Sequence, residues 1–143
     1  MNVPHSPSFK EAEARLWSLK TRPGLSHYQN ELFTLEQSMP DGKLPVPYLQ
    51  VLISFIEKRP RENFEISQAA LDLLKNYFIR GQLNYELKAS FLKSLRFVLN
   101  DQKNHLLRWD VRQVVHIIKP IQFSSPLYHL LKRCLIKASA IHD

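Results

Sequence analysis

The sequence predicts an all-α fold of about seven antiparallel helices. Three observations carry that prediction: apolar residues recur at helical pitch through seven segments, glycine and proline fall between or at the ends of those segments, and cap-forming residues open several of them. The chain has 143 residues, of which 44% are hydrophobic and 23% charged, which suits one globular domain and excludes a wholly disordered chain. Residues 1–7, with Pro4 and Pro7 and little to bury, read as a loose arm. Residues 8–143 read as a single helical domain, with an N-terminal pair over 8–39.

Ser8-Phe-Lys-Glu11 has the form of a capping box and opens a helix to about Lys20, with Phe9, Ala12, Leu16, Trp17 and Leu19 on its apolar side. Pro23-Gly24 ends it. Ser26-His-Tyr-Gln29 repeats the capping form, and Tyr28, Leu32, Leu35 and Met39 then recur at helical spacing with Phe33 alongside. The breaker-rich segment from Pro40 to Pro47 is a candidate hinge between this pair and the rest.

Pro47 serves as a first-turn proline for a third helix, Tyr48 to Lys58, which is apolar nearly all round and therefore central. Lys58-Arg-Pro-Arg61 closes it. A fourth helix runs from about Phe64 to Arg80, burying Ile66, Ala70, Leu73, Leu74, Tyr77 and Phe78, and Gly81 supplies a left-handed cap. Asn84 caps a fifth, Tyr85 to about Asn100, with Leu87, Phe91, Leu95, Val98 and Leu99 inward. Ser125-Pro126 launches the seventh, with Leu127, Leu131, Leu135 and Ala138 inward.

The sixth helix, Asn104 to Lys119, carries a core face and a surface face. Leu107, Val111, Val114, Val115 and Ile118 share one side at about 100° per residue, and Leu106 with Ile117 suggests a second buried side. His105, Arg108, Arg112, His116 and Lys119 form the remaining wall, with Trp109 beside them. Pro120 stops the helix.

The helices starting near 64, 84, 105 and 126 are about twenty residues apart, so two make a unit of roughly forty. A shift of 41 lays Ile66 on Leu107, Ala70 on Val111, Leu73 on Val114 and Leu74 on Val115, and a shift of 40 lays Leu87 on Leu127, Phe91 on Leu131 and Leu95 on Leu135. In period and apolar pattern, residues 47–143 resemble HEAT-like paired-helix repeats, which would imply a stack offering successive helices to a partner. A compact irregular bundle of helices this long would show the same spacing.

Formal net charge is +7, and its distribution is uneven. Residues 1–63 hold eight Lys and Arg against seven Asp and Glu, whereas 64–143 hold twelve against six. That asymmetry points to an acidic partner. The candidate partner-binding set is Lys93 and Arg96 on the fifth helix, Arg108, Trp109, Arg112, His116 and Lys119 on the sixth, and His129, Arg133 and Lys137 on the seventh. These residues suit an acidic protein surface; alternatively, regular cations beside Trp109 suit a nucleic-acid backbone and stacked bases.

Catalytic chemistry finds little support. The six histidines, at 5, 27, 105, 116, 129 and 142, form no His-Glu-x-x-His and no other metal-ligand spacing, and Gly24, Gly42 and Gly81 form no phosphate loop. Asp110 beside Trp109 is expected to be a surface carboxylate near Arg108 or Arg112. No cofactor, metal or enzymatic activity is expected. The single cysteine, Cys134, lies among Leu130, Leu131 and Leu135 on an apolar face and cannot form an intramolecular disulfide. No apolar run reaches the roughly 20 residues of a membrane span, and the N-terminus lacks a secretory apolar segment. A soluble intracellular protein, cytoplasmic or nuclear, is the expectation. Phe123, in the link before the last helix, reads as a plug between helices or an anchor for a partner.

Overall fold

Seven helices form among the residues described by the computed structural model, which are 7–58, 64–100, 105–118 and 125–140. In order they are α1 (Phe9–Ser18), α2 (Leu25–Gln37), α3 (Val46–Lys58), α4 (Phe64–Ile79), α5 (Tyr85–Asn100), α6 (His105–Ile118) and α7 (Ser125–Ala140), with no strand among the described residues. None of these helices is long and apolar enough to cross a membrane. The expectations for an N-terminal arm (apart from Pro7), for Arg59 to Arg61, Lys119, Pro120 and Phe123 lie outside the described residues.

The helix ends follow from local chemistry. The Ser8 hydroxyl accepts the Glu11 amide at 3.2 Å and donates to the Glu11 carboxylate at 3.2 Å, a capping pair closed through side chains. Ser26 caps nothing. Gly24, at φ +118°, turns the chain straight into α2 and its carbonyl accepts the Tyr28 amide at 3.3 Å, so Ser26 already lies within the first turn. At the end of α4, Gly81 adopts φ +69° and donates to the Phe78 carbonyl at 3.1 Å, while the Gln82 amide donates to the Tyr77 carbonyl at 2.9 Å. These two bonds make a Schellman cap. The Asn84 side-chain oxygen then accepts the Leu87 amide at 2.8 Å and starts α5. In α7, Ser125 and Pro126 are the first two helical residues, so the serine lies one position inside the expected cap.

Packing sorts the helices into two ranks. α3 contacts α1 and α5, and α5 contacts α7, giving one rank of odd-numbered helices; α4 contacts α2 and α6, giving a second rank of even-numbered ones. The ranks meet mainly where α3 packs on α4 and α5 on α6. Short links force consecutive helices to run back and forth between the ranks, so neighbours within a rank are separated by about two helices of sequence. Long-range hydrogen bonds record this spacing: Gln68 to Asp110 and Cys134 to the Leu92 carbonyl span 42 residues, and Tyr77 to Glu36 and Ser94 to the Ile53 carbonyl span 41. The repeat of about forty in the apolar pattern is thus the register between neighbours of one rank.

One continuous core runs from Ala12 and Leu16 in α1 to Leu131 and Cys134 in α7. Leu52, Phe55, Ile56, Leu74, Phe91, Leu92 and Leu95 are shut away from solvent at its centre. Two buried hydroxyls are satisfied by helix carbonyls, Ser67 on Phe55 at 2.8 Å and Ser94 on Ile53 at 3.4 Å, and Tyr28 reaches the Leu16 carbonyl at 2.8 Å. Val114 and Leu131 are buried as expected, but Leu73 is only half-buried because it lies at the surface groove between α2 and α4. The second buried side expected of α6 is also open at Ile117, which is 49% exposed. Within the breaker-rich segment, Leu44 is buried and its amide donates to the Tyr77 hydroxyl at 3.0 Å.

Candidate interaction surface

α6 owes its two characters to a clean division around its axis. Leu107, Val111, Val115 and Ile118 are fully buried, which turns Trp109, Gln113 and His116 to solvent on the opposite side. Arg108 and Arg112 occupy the flank between. Both are half-buried, with each Nε withdrawn from water, so their aliphatic stems cover core residues while the guanidinium heads reach outward. The Arg112 guanidinium lies 5.6 Å from the centre of the Trp109 ring, within cation–π range, and Trp109 remains 52% exposed.

Lys93, His129 and Arg133 are exposed and Arg96 is half-buried, all on α5 and α7 of the odd rank. Lys93 and Arg133 are separated by the same shift of 40 that aligns the cores of these two helices, so they occupy equivalent places on neighbouring helices. α6 belongs to the other rank. The outward faces of the two ranks look away from each other, so the set chosen from sequence divides into an α5–α7 group and an α6 group. Lys119 lies outside the described residues, as does the side chain of Lys137.

Asp110 sits on neither group. Residues two apart on a helix point about 200° from each other, which carries Asp110 away from Arg108 and Arg112 and towards α4. There its carboxylate accepts a hydrogen bond from the Gln68 amide at 2.9 Å. Burial raises its pKa above the ordinary 3.8, and the Gln68 bond draws it back in part. The expectation of a surface carboxylate beside the arginines is corrected accordingly.

Along the outer side of the even rank run two adjoining cavities that sequence reasoning missed. One, of about 280 Å³, lies between α2 and α4; the other, of about 230 Å³, lies between α4 and α6 with Leu25 and Gln29 of α2 at its edge; Gln29 and Asp72 line both. Glu36, Asp72 and Asp110 contribute one carboxylate from each helix of the rank. The signal that could have found this groove is the shift of 41 to 42, which brings Glu36 to Tyr77 and Gln68 to Asp110.

Cys134 is buried, its thiol directed at the Leu92 carbonyl at 3.4 Å, and burial pushes its pKa up to about 11. Such a thiol is held protonated and is a packing residue. Among the described residues no three His, Cys, Asp or Glu side chains gather as a metal site would require. Comparisons with protein-family models, with curated proteins and with solved structures find no match to this chain.

Proposed function

We propose that this protein is a helical interaction module, HEAT-like in its paired repetition and without catalysis of its own, which docks the basic face of α6 onto an acidic surface of another protein. The observation that supports this reading is Trp109, half-exposed beneath the Arg112 guanidinium with exposed His116 two turns along the same helix. Tryptophan and arginine are the residue types most often found as anchors of protein interfaces, where a broad ring and a planar cation supply contact area at little cost in side-chain freedom. The half-buried stems of Arg108 and Arg112 hold this face in one geometry before a partner arrives, which favours tight docking.

Exposed cations on the odd rank, Lys93, Lys132 and Arg133 among them, support nucleic-acid binding as the second reading. Two measurements separate the readings. A photo-reactive phenylalanine analogue at exposed His116, on the face of Trp109, should yield protein adducts that Trp109→Ala suppresses. Titration of single- and double-stranded oligonucleotides at two salt concentrations should give weak binding, little changed by Lys93→Glu with Arg133→Glu. Tight oligonucleotide binding with a steep salt slope, abolished by that charge reversal, would overturn the protein-docking assignment.

A further inference from the structure

We propose that the groove along the even rank is a second and separate docking site, which takes an extended peptide segment of another protein with a lysine or arginine side chain seated at Asp110. Continuity comes first. The two cavities meet at Gln29 and Asp72, so one trough crosses α2, α4 and α6. Helices packed side by side lie roughly 8–10 Å apart, so the trough spans about 16–20 Å from the first to the third. An extended chain rises about 3.3 Å per residue and would cover that distance with five or six residues.

The lining matches a peptide in each of its parts. Gln29, Gln68, Asn76 and Gln113 line the trough from three helices, and a side-chain amide offers both a donor and an acceptor, as a peptide unit does. At the α2 end Phe33 is 61% exposed, and at the α6 end Ile117 is 49% exposed, with half-buried Leu73 between α2 and α4. These are resting places for alternate apolar side chains of an extended strand, whose successive residues point to opposite sides.

Charge selects the sign of the partner. On a chain of net charge +7, this trough holds three carboxylates, Glu36, Asp72 and Asp110, against two cations, Lys75 and Arg80. Glu36 is taken up by the Tyr77 hydroxyl and Asp72 by Lys75 at 2.9 Å. Asp110 has only the neutral Gln68 amide and, among the described residues, no cation in ion-pair range. It is a half-buried carboxylate left without counter-charge beside an apolar ledge, the environment in which an incoming cation gains most.

Selection of a displayed twelve-residue random peptide library on the full chain tests this. Enriched peptides should carry Lys or Arg among alternating apolar residues. Synthetic versions, followed by fluorescence anisotropy, should bind Asp110→Asn about tenfold more weakly, as expected for losing one charge-assisted hydrogen bond. Ile117→Ser should weaken them as well. Trp109→Ala asks instead about the basic face: that ring is absent from the trough lining, so loss of binding there with Asp110→Asn silent would assign the peptides to the basic face and overturn this proposal. Absence of enrichment, a preference for acidic peptides, apolar spacing of three and four that marks a helical ligand, or equal binding to Asp110→Asn would each overturn the proposal. Asp110→Asn is expected to fold and melt no lower than the parent chain, which keeps the comparison sound.

Discussion

Tyr77→Phe removes one oxygen atom from a position where two elements depend on it. The Tyr77 hydroxyl donates to the Glu36 carboxylate at 2.5 Å and accepts the Leu44 amide at 3.0 Å. Leu44 is 4% exposed and Tyr77 3%, so water cannot replace the lost acceptor without opening the α2–α3 connection. A buried donor left unsatisfied costs about 1–3 kcal/mol. Glu36 is half-buried and opens onto the α2–α4 groove, so it can rehydrate and adds little. The ring is retained and leaves almost no cavity. The expected loss is therefore about 2 kcal/mol, which for a chain of this size lowers Tm by roughly 8 °C and moves the urea midpoint by roughly 1 M at unchanged slope. Glu36→Ala spares the Leu44 acceptor and vacates space that opens onto the α2–α4 groove, where water can accept the Tyr77 hydroxyl proton, so it should cost less than about 1 kcal/mol. If Tyr77→Phe proves as mild as Glu36→Ala, the hydroxyl does not hold the connection and the reasoning fails.

Other perturbations act on single causes. Val114→Asp places a carboxylate at a site 6% exposed and should unfold the domain, seen as loss of the cooperative melt by circular dichroism. Gly81→Ala meets no atom within 4 Å of its new Cβ, so only the left-handed backbone at φ +69° opposes it, at about 1 kcal/mol by urea denaturation. Cys134 has its folded pKa raised from 9.0 to about 11, so the unfolded chain releases this proton first and stability falls as pH rises from 9 towards 11. Cys134→Ala should flatten that fall most clearly near pH 9, before the unfolded-state titration of Tyr28 and Tyr77 around 10.0 adds its own fall. Asp110 also has a raised folded pKa, so its favourable contribution is present below 3.8 and is lost as pH climbs through the folded value. Asp110→Asn should accordingly melt higher than the parent at pH 7, with the gap closing as pH is lowered to 3.

The helices were legible because burial imposes a period of 3.6 on each segment and because caps are local chemistry. The start of α5 was legible in Asn84, and the end of α4 was read to within a residue from Gly81. Ser26 misled for a related reason: the capping form is present, but Gly24 two residues earlier has already committed the chain to helix. Leu73 and Ile117 misled differently. Helical pitch tells which side of a helix is apolar, whereas burial also needs a neighbour on that side, and both residues line grooves between even-numbered helices. A single helix examined alone cannot reveal that.

The same distinction governs the surface. Charges that recur at i and i+4 lie on one wall of one helix, and pooling walls from consecutive helices assumes that consecutive helices share a face. Short links make consecutive helices alternate between ranks, so residues that share a face come from helices two apart in order, about 40 residues away in sequence. Applied to the basic residues, that rule separates what proximity in sequence had joined. Arg108, Arg112 and His116 shifted back by 41 fall on Ser67, Leu71 and Lys75, so the arginine wall of α6 does not continue onto α4. Lys93 shifted forward by 40 falls on Arg133 whereas Arg96 falls on Ile136, so one cation of α5 continues onto α7. Gln29, Gln68 and Asp110, separated by 39 and 42 residues, line one groove across α2, α4 and α6. A surface built by this spacing presents one helix-width of chemistry at each step, which suits a partner lying across the helices and reading several of them in turn.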